Sequence, residues 1–273
     1  LELTMTRQIF LCIDGTRCAS DSQTNIWKIY SLVGGDDNPF ARYQEGIAFM
    51  SSLKWLQTAL PTELAAEAYA AYKLLDALQV SSDDRLYIFG FSRGAIIARM
   101  VAQMIASEEA RRSVIGQADR PLVLRRNTVD FLGLFDPVRG YPYPFPIVGY
   151  DSDAYRNPSI LNICEITSID DGFPIFRSDS VIARRKFDRK SFKTLRFLSK
   201  GMESSSDKVI DNHSLTLDNF RHYCLFPGVH SDIGGDRAAN FALNSVSLLL
   251  MLQELTAAFP EVSEAVDDQE ISR

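Results

Sequence analysis

Residues 85–106 read RLYIFGFSRGAIIARMVAQMIA, and this stretch decides the fold. Arg85 to Phe89 is a β-favouring apolar run, and Ala95 to Ala106 is an alanine-rich segment with helical spacing. Between them, Gly90-Phe91-Ser92-Arg93-Gly94 leaves room for a single tight turn. A strand that passes so abruptly into a helix needs small neighbours, because the two backbones approach closely. The spacing Gly-x-Ser-x-Gly therefore predicts Ser92 on a strained bend at a helix N-terminus, its hydroxyl exposed, with Gly90 and Gly94 shaping the turn. The Arg93 amide at that position can face an oxyanion.

Working outward, the same alternation recurs. Gln8 to Ile13 reads as a buried strand that ends in the turn Asp14-Gly15-Thr16. Helical spacing follows through Ile26, Trp27, Ile29, Tyr30 and Val33, and Phe40 to Tyr43 is a short strand candidate. Pro61 opens a helix that runs to about Gln79, with Glu63 and Glu67 near its positive end. Thr128 to Phe135 is another buried strand, ending at Asp136-Pro137. Strands alternating with helices imply an α/β fold: a mostly parallel central sheet with helices on both faces. Ligands of such sheets gather at the carboxyl ends of strands, where all three turns lie. Val138 to about Ile210 is broken by five prolines and carries no sustained period. It reads as an inserted lid at about 138–210 within one domain spanning 1–273. Tyr223 to Phe226 is a final strand, and a terminal helix runs from about Asn240 to Ala258.

A nucleophilic serine needs a base, and the chain has three histidines. His230 lies in the glycine-rich turn Pro227-Gly228-Val229-His230-Ser231-Asp232-Ile233-Gly234-Gly235, after a strand near the C-terminus. His213 and His222 have more ordinary surroundings. The acid must fix the imidazole tautomer and stabilise its charge. Asp136 ends the strand that follows the Ser92 helix; Asp170 and Asp171 are alternatives. A second oxyanion donor is expected from the amide of Gly15 or Thr16, with Asp14 and Asp232 as turn-shaping residues.

The bulk numbers bound what such a site could act on. A charge of −6 over 273 residues argues against nucleic acid as the main partner. The apolar fraction of 46% and charged fraction of 23% are those of a globular protein. Cys12, Cys18, Cys164 and Cys224 show no zinc spacing, and no metal or organic cofactor is expected. The first residues lack the basic start and apolar segment of a secretory signal. The chain is therefore expected to be cytoplasmic as synthesised, with any export by a signal-less route. Oligomeric state is left open.

With these residues in hand, the chain resembles a bacterial α/β-hydrolase domain family that includes type VI secretion phospholipase effectors of the first lipase class. The segments that carry the resemblance are Ile13-Asp14-Gly15-Thr16 with Thr24-Asn25, Tyr43-Gln44-Glu45-Gly46, and Gly90 to Ala95 with Ala98-Arg99. Phe131 to Asp136 and Phe226 to Gly235 complete the set. The resemblance implies an α/β-hydrolase fold, Ser92, Asp136 and His230 as a catalytic triad, and ester hydrolysis of glycerophospholipids. Arg17 departs from the family, which often has tryptophan there. Cys164–Asp171 and His213–Asp218 are imperfect counterparts of a mid-domain family segment.

Three other readings compete. Asp-Gly-Thr after a strand also ends the nucleophile motif of haloacid-dehalogenase-like phosphatases, but Cys12 stands where their nucleophilic aspartate would be. A non-catalytic interaction module on a hydrolase scaffold is the alternative from another class. An esterase or thioesterase for soluble acyl substrates is the third. Arg177 to Lys200 carries nine Lys/Arg against two Asp, with Phe187, Phe192 and Phe197 interleaved. That composition suits an anionic membrane surface, or equally a solvated face. Tyr141, Tyr143 and Phe145 are candidates for an acyl pocket or for lid packing.

Overall fold

In the computed structural model the described residues are 6–47, 61–115, 124–139, 150, 157–168, 170, 220–225, 228–236 and 240–265. Among the described residues six strands form one sheet: β1 (Gln8–Ile13), β2 (Ala41–Gln44), β3 (Arg85–Phe91), β4 (Phe131–Phe135), β5 (Ile163–Ser168) and β6 (Phe220–Leu225). Their order is β2-β1-β3-β4-β5-β6, and every neighbouring pair is parallel. The helices among the described residues are α1 (Asn25–Leu32), α2 (Pro61–Ala77), α3 (Arg93–Ala106), α4 (Glu108–Ile115), α5 (His230–Gly234) and α6 (Phe241–Ala258).

The period of two along each strand divides the core into two layers. Ile9, Leu11 and Ile13 of β1, with Leu86 and Ile88 of β3 and Leu132 and Leu134 of β4, pack against α2 and α3. The intervening Phe10 and Cys12, Tyr87, Phe89 and Phe91, and Phe131 and Phe135 face α1, α5 and α6. Parallel strands buried on both faces need apolar residues at every position, which is why these segments read as continuous runs. The fold is α/β with helices on both sides, as the alternation predicts.

Topology then locates the site. From β1 the chain goes out to β2 on one side, and then returns to β3 on the other. The carboxyl ends of β1 and β3 flank the crevice where the order reverses, the usual ligand position of open α/β sheets. The opposite end of β3 is pinned by Asp84, which accepts from Arg7 Nε at 2.7 Å and from the Ser81 amide at 2.7 Å.

Two elements depart from the sequence reading. β5 lies inside the stretch 138–210 that reads as a lid, yet it is a central strand paired with both β4 and β6. Its Glu165 and Thr167 are buried, and these polar residues interrupt the apolar run by which a strand of this kind is recognised. Most other residues of the lid segment lie outside the described ones. α4 departs from it too: Glu-Glu-Ala-Arg-Arg-Ser-Val-Ile is short and mostly polar, and only Val114 and Ile115 at its end are large apolar residues packed on the core.

Candidate active site

β3 runs through Phe91 and α3 begins at Arg93, so the whole reversal falls on Ser92. Its φ of 57° and ψ of −124° lie in a region that non-glycine residues seldom occupy. Such a conformation costs of order 1–3 kcal/mol and persists only where the surroundings hold it. Here they do: the Ser92 amide donates to Phe135 O at 3.0 Å, and its carbonyl accepts from the amides of Ala95 at 3.1 Å and Val138 at 3.2 Å. The flanking glycines are sterically obligatory. A Cβ on Gly94 would sit 2.4 Å from the carbonyl oxygens of Ile13 and Asp14, and one on Gly90 2.5 Å from Gly94 O.

Asp136 follows β4 directly, also with positive φ, at 39°. Its amide donates to Ile166 O at 2.7 Å, and its Oδ1 accepts from the Ser168 amide at 3.1 Å, so β5 orients the carboxylate. The other oxygen, Oδ2, lies 2.7 Å from Nδ1 of His230, whose Nε2 is 2.8 Å from Ser92 Oγ. An ionised carboxylate can only accept, so Nδ1 carries the proton and Nε2 is left to accept from the serine hydroxyl. Ser92 and Asp136 are buried.

His230 opens α5 rather than sitting in an open turn. Asp232 shapes this helix start: its Oδ2 accepts from the Val229 amide at 2.9 Å and its Oδ1 from the Asn240 amide at 2.6 Å. The imidazole stacks on Phe91, centroids 4.8 Å apart. Asp170 accepts from the Gly228 amide at 3.1 Å, so this alternative acid braces the loop before His230, while Asp136 faces the imidazole. Asp171 and His213 lie outside the described residues. His222 is on β6, at the register position opposite Glu165.

The Asp14-Gly15-Thr16 turn packs beneath the bend. A Cβ on Gly15 would meet the Phe91 ring at 2.6 Å and Ser92 Cβ at 3.2 Å. The expectation for its amide needs correcting: Gly15 N–H donates to Asp14 Oδ1 at 2.7 Å, so of the two candidates only Thr16 keeps the oxyanion assignment open. Asp14 is an organising residue. Its Oδ2 accepts from Thr24 Oγ1 at 2.6 Å and Tyr43 Oη at 2.7 Å, tying the turn to α1 and β2. Burial pushes the Asp14 carboxyl up, against the pull of those hydrogen bonds, and Asp236 adds to the rise. Burial and the Asp14 charge together push the Tyr43 phenol up.

The Arg93 side chain reaches back to donate from Nε to Thr16 Oγ1, joining the two turns. Burial lowers the Arg93 pKa; Glu63 opposes that and Arg17 adds to it. Burial likewise pushes Cys12 up, so this thiol stays protonated, as a structural rather than reactive cysteine does. Sequence reasoning missed Ser168 and Phe91. Ser168 was hidden in the unrecognised β5, and its hydroxyl also donates to Gly228 O at 2.6 Å, linking the acid's support to the histidine loop. The basic segment Arg177–Lys200 and the Tyr141, Tyr143, Phe145 group lie outside the described residues. Among the described residues no group of three or more His, Cys, Asp or Glu side chains is placed to hold a metal ion.

Residues 7–109 match the family model described as the catalytic domain of Tle1-like type VI secretion phospholipase effectors. The match includes Ser92 and ends before Asp136 and His230. An uncharacterized protein of Saccharomyces cerevisiae is 36% identical over 118 residues, covering 36% of this chain and 17% of that protein. Among solved structures, an uncharacterized protein from Pseudomonas aeruginosa aligns with TM-score 0.52 and 18% identity, over 98% of this chain and 48% of that one. The Tle1 effector bound to the VgrG spike aligns at 0.43 and 17% identity, over 86% of this chain and 51% of that one. The chain thus spans about half the length of these solved structures and a smaller share of the yeast protein. The P. aeruginosa likeness supports the fold alone. The family likeness is thus to the catalytic domain of Tle1-like phospholipase effectors of type VI secretion, over residues 7–109.

Proposed function

We propose that this chain is a serine esterase that hydrolyses the carboxylic esters of glycerophospholipids through an acyl-enzyme. Ser92 Oγ attacks the ester carbonyl while His230 Nε2 takes its proton. Asp136 holds Nδ1–H and stabilises the imidazolium that forms. The amide of Arg93, at the start of α3, and that of Thr16 face the oxyanion. The imidazolium then returns its proton to the departing alcohol, and water clears the acyl group by the same route in reverse. The observation that carries the reading is the unbroken line from Asp136 Oδ2 through His230 to Ser92 Oγ, at 2.7 and 2.8 Å, with the serine on a strained bend.

The likeness over residues 7–109 to a phospholipase effector catalytic domain supports a lipase-like hydrolase; the glycerophospholipid ester as substrate rests on this proposal. The test is fatty-acid release from phosphatidylcholine and phosphatidylglycerol vesicles, run beside a series of soluble esters of increasing chain length. Release that is abolished in Ser92→Ala supports the reading. Turnover of short soluble esters with none from phospholipid would reassign the substrate. Equal turnover by the wild type and Ser92→Ala would remove the nucleophile.

A further inference from the structure

The four large hydrophobic side chains exposed among the described residues all fall at one place: Val229 (41%), Phe241 (70%), Val246 (44%) and Leu249 (39%). Three are on α6, and the helical period gathers positions 241, 245 and 249, with 242, 246 and 253, on one side. The inward side of the helix combines Leu248, Met251, Leu252 and Leu255 with two polar residues. Asn244 and Ser247 are buried, and Asn25 Nδ2 donates to Ser247 Oγ at 2.9 Å and to Asn244 O at 3.2 Å. No charged residue occurs from Phe241 to Gln253 in a chain that carries a net −6. A helix on a water-facing surface is ordinarily polar on its outer side; this one has Phe, Val and Leu there.

The patch continues to the candidate active site. Val229 and Asn240 both donate their amides to the one carboxylate of Asp232, which brings the start of α6 beside the residue that precedes His230. Leu243 bridges the two, its Cδ1 lying 3.6 Å from where a Gly228 Cβ would be. At the rim, Lys28 Nζ stands 5.8 Å from the Phe241 ring centroid. The acid that joins Val229 to Asn240, Asp232, has both carboxylate oxygens accepting from backbone amides, and apolar side chains bordered by a cation complement a bilayer surface: the ring enters the acyl boundary while the ammonium meets phosphate. A bilayer, unlike a protein seated on the same face, would also present esters beside the loop that holds His230.

We infer that the outer face of α6, with Val229 at its end, seats the protein on a phospholipid bilayer beside the Ser92 site. The inference rests on the proposed lipid-ester function and names the surface through which that site meets its substrate. The test compares the wild type with Phe241→Ser/Leu249→Ser by flotation with phosphatidylcholine vesicles containing a minor share of phosphatidylglycerol. Soluble-ester turnover and sedimentation velocity are read on the same preparations. The wild type is expected to float and the variant to lose at least about tenfold in partitioning, as expected for two apolar side chains that no longer leave water. Soluble-ester turnover of the two should be equal. Equal flotation overturns the inference. So does a wild-type dimer that the variant abolishes, since a second copy would then own the face. Flotation reads the inference even if neither protein turns over an ester, an outcome that would sink only the proposed function.

Discussion

Replacing Asp136 by Asn tests the direction of the proton path. The Asp136 carboxylate accepts at both oxygens, from the Ser168 amide at 3.1 Å and from His230 Nδ1 at 2.7 Å. Asn has nearly the same shape and tolerates the φ of 39° found here. Its single carbonyl oxygen can keep the Ser168 bond, which leaves its NH2 facing Nδ1. Two donors cannot face each other, so the imidazole shifts its proton to Nε2. Nε2 then donates toward Ser92 instead of accepting from it. The expected loss in kcat is about 10⁴-fold, as for the wrong tautomer in other triads. At about 1.4 kcal/mol per tenfold this is a barrier increase of about 5 kcal/mol. Stability should change by about 1 kcal/mol or less, because one hydrogen bond persists and the other is only reversed in polarity. The assay is steady-state kcat on a soluble ester, with urea unfolding to establish that the variant folds. Asp170→Asn is the control: an amide oxygen can still accept from the Gly228 amide, so kcat should stay within about tenfold of wild type. Near-normal turnover by Asp136→Asn, or an equal collapse in Asp170→Asn, would refute the reasoning.

Three further outcomes are expected. Gly234→Ala places a Cβ 2.0 Å from the Phe91 ring, which also stacks on His230; overpacking should cost about 1–3 kcal/mol in urea unfolding. Displacement of α5 should lower kcat on the order of tenfold to a hundredfold, and unchanged kinetics would show that the histidine does not depend on that packing. Thr16→Val removes the hydroxyl that accepts from Arg93 Nε. It should destabilise by about 1–3 kcal/mol and lower kcat roughly tenfold, while Thr16→Ser restores both; equal behaviour of Val and Ser would discount the hydroxyl. For Asp84, burial raises the carboxyl pKa, but Arg7 and Ser81 outweigh that and hold it below the ordinary value. A depressed folded pKa means that its stabilisation is whole above about pH 4 and is lost as pH falls through the folded value. Arg7→Ala should therefore cost about 1 kcal/mol at neutral pH, Arg7 being partly exposed, with the gap closing on acidification. A gap independent of pH in paired urea titrations would contradict this.

How far the sequence could be read depends on which physical signal each element carries. β1, β3 and β4 announce themselves because burial on both faces demands unbroken apolar runs. The Ser92 bend does so because close backbone contact at Gly90 and Gly94 admits no side chain. β5 gave no such signal: Glu165 and Thr167 are buried polar residues, and nothing local says that a fold will surround them. The reversal was also tighter than the sequence suggested. The Gly90 to Gly94 turn dissolves into strand and helix, leaving Ser92 alone between them. The Gly15 amide could not be foreseen either, since its partner is the preceding residue's own carboxylate, a matter of one side-chain rotamer. Ser168 and Phe91, which brace Asp136 and His230, are ordinary residues made specific only by three-dimensional neighbours.

The central claim is that Ser92 is an activated nucleophile, and a fluorophosphonate probe reads this without knowing the natural ester. Intact-mass analysis after incubation should show one phosphonyl adduct on the wild type, mapped by peptide sequencing to Ser92, and none on Ser92→Ala. His230→Ala should label far more slowly. An unlabelled wild type, or an adduct that survives in Ser92→Ala, would contradict the account.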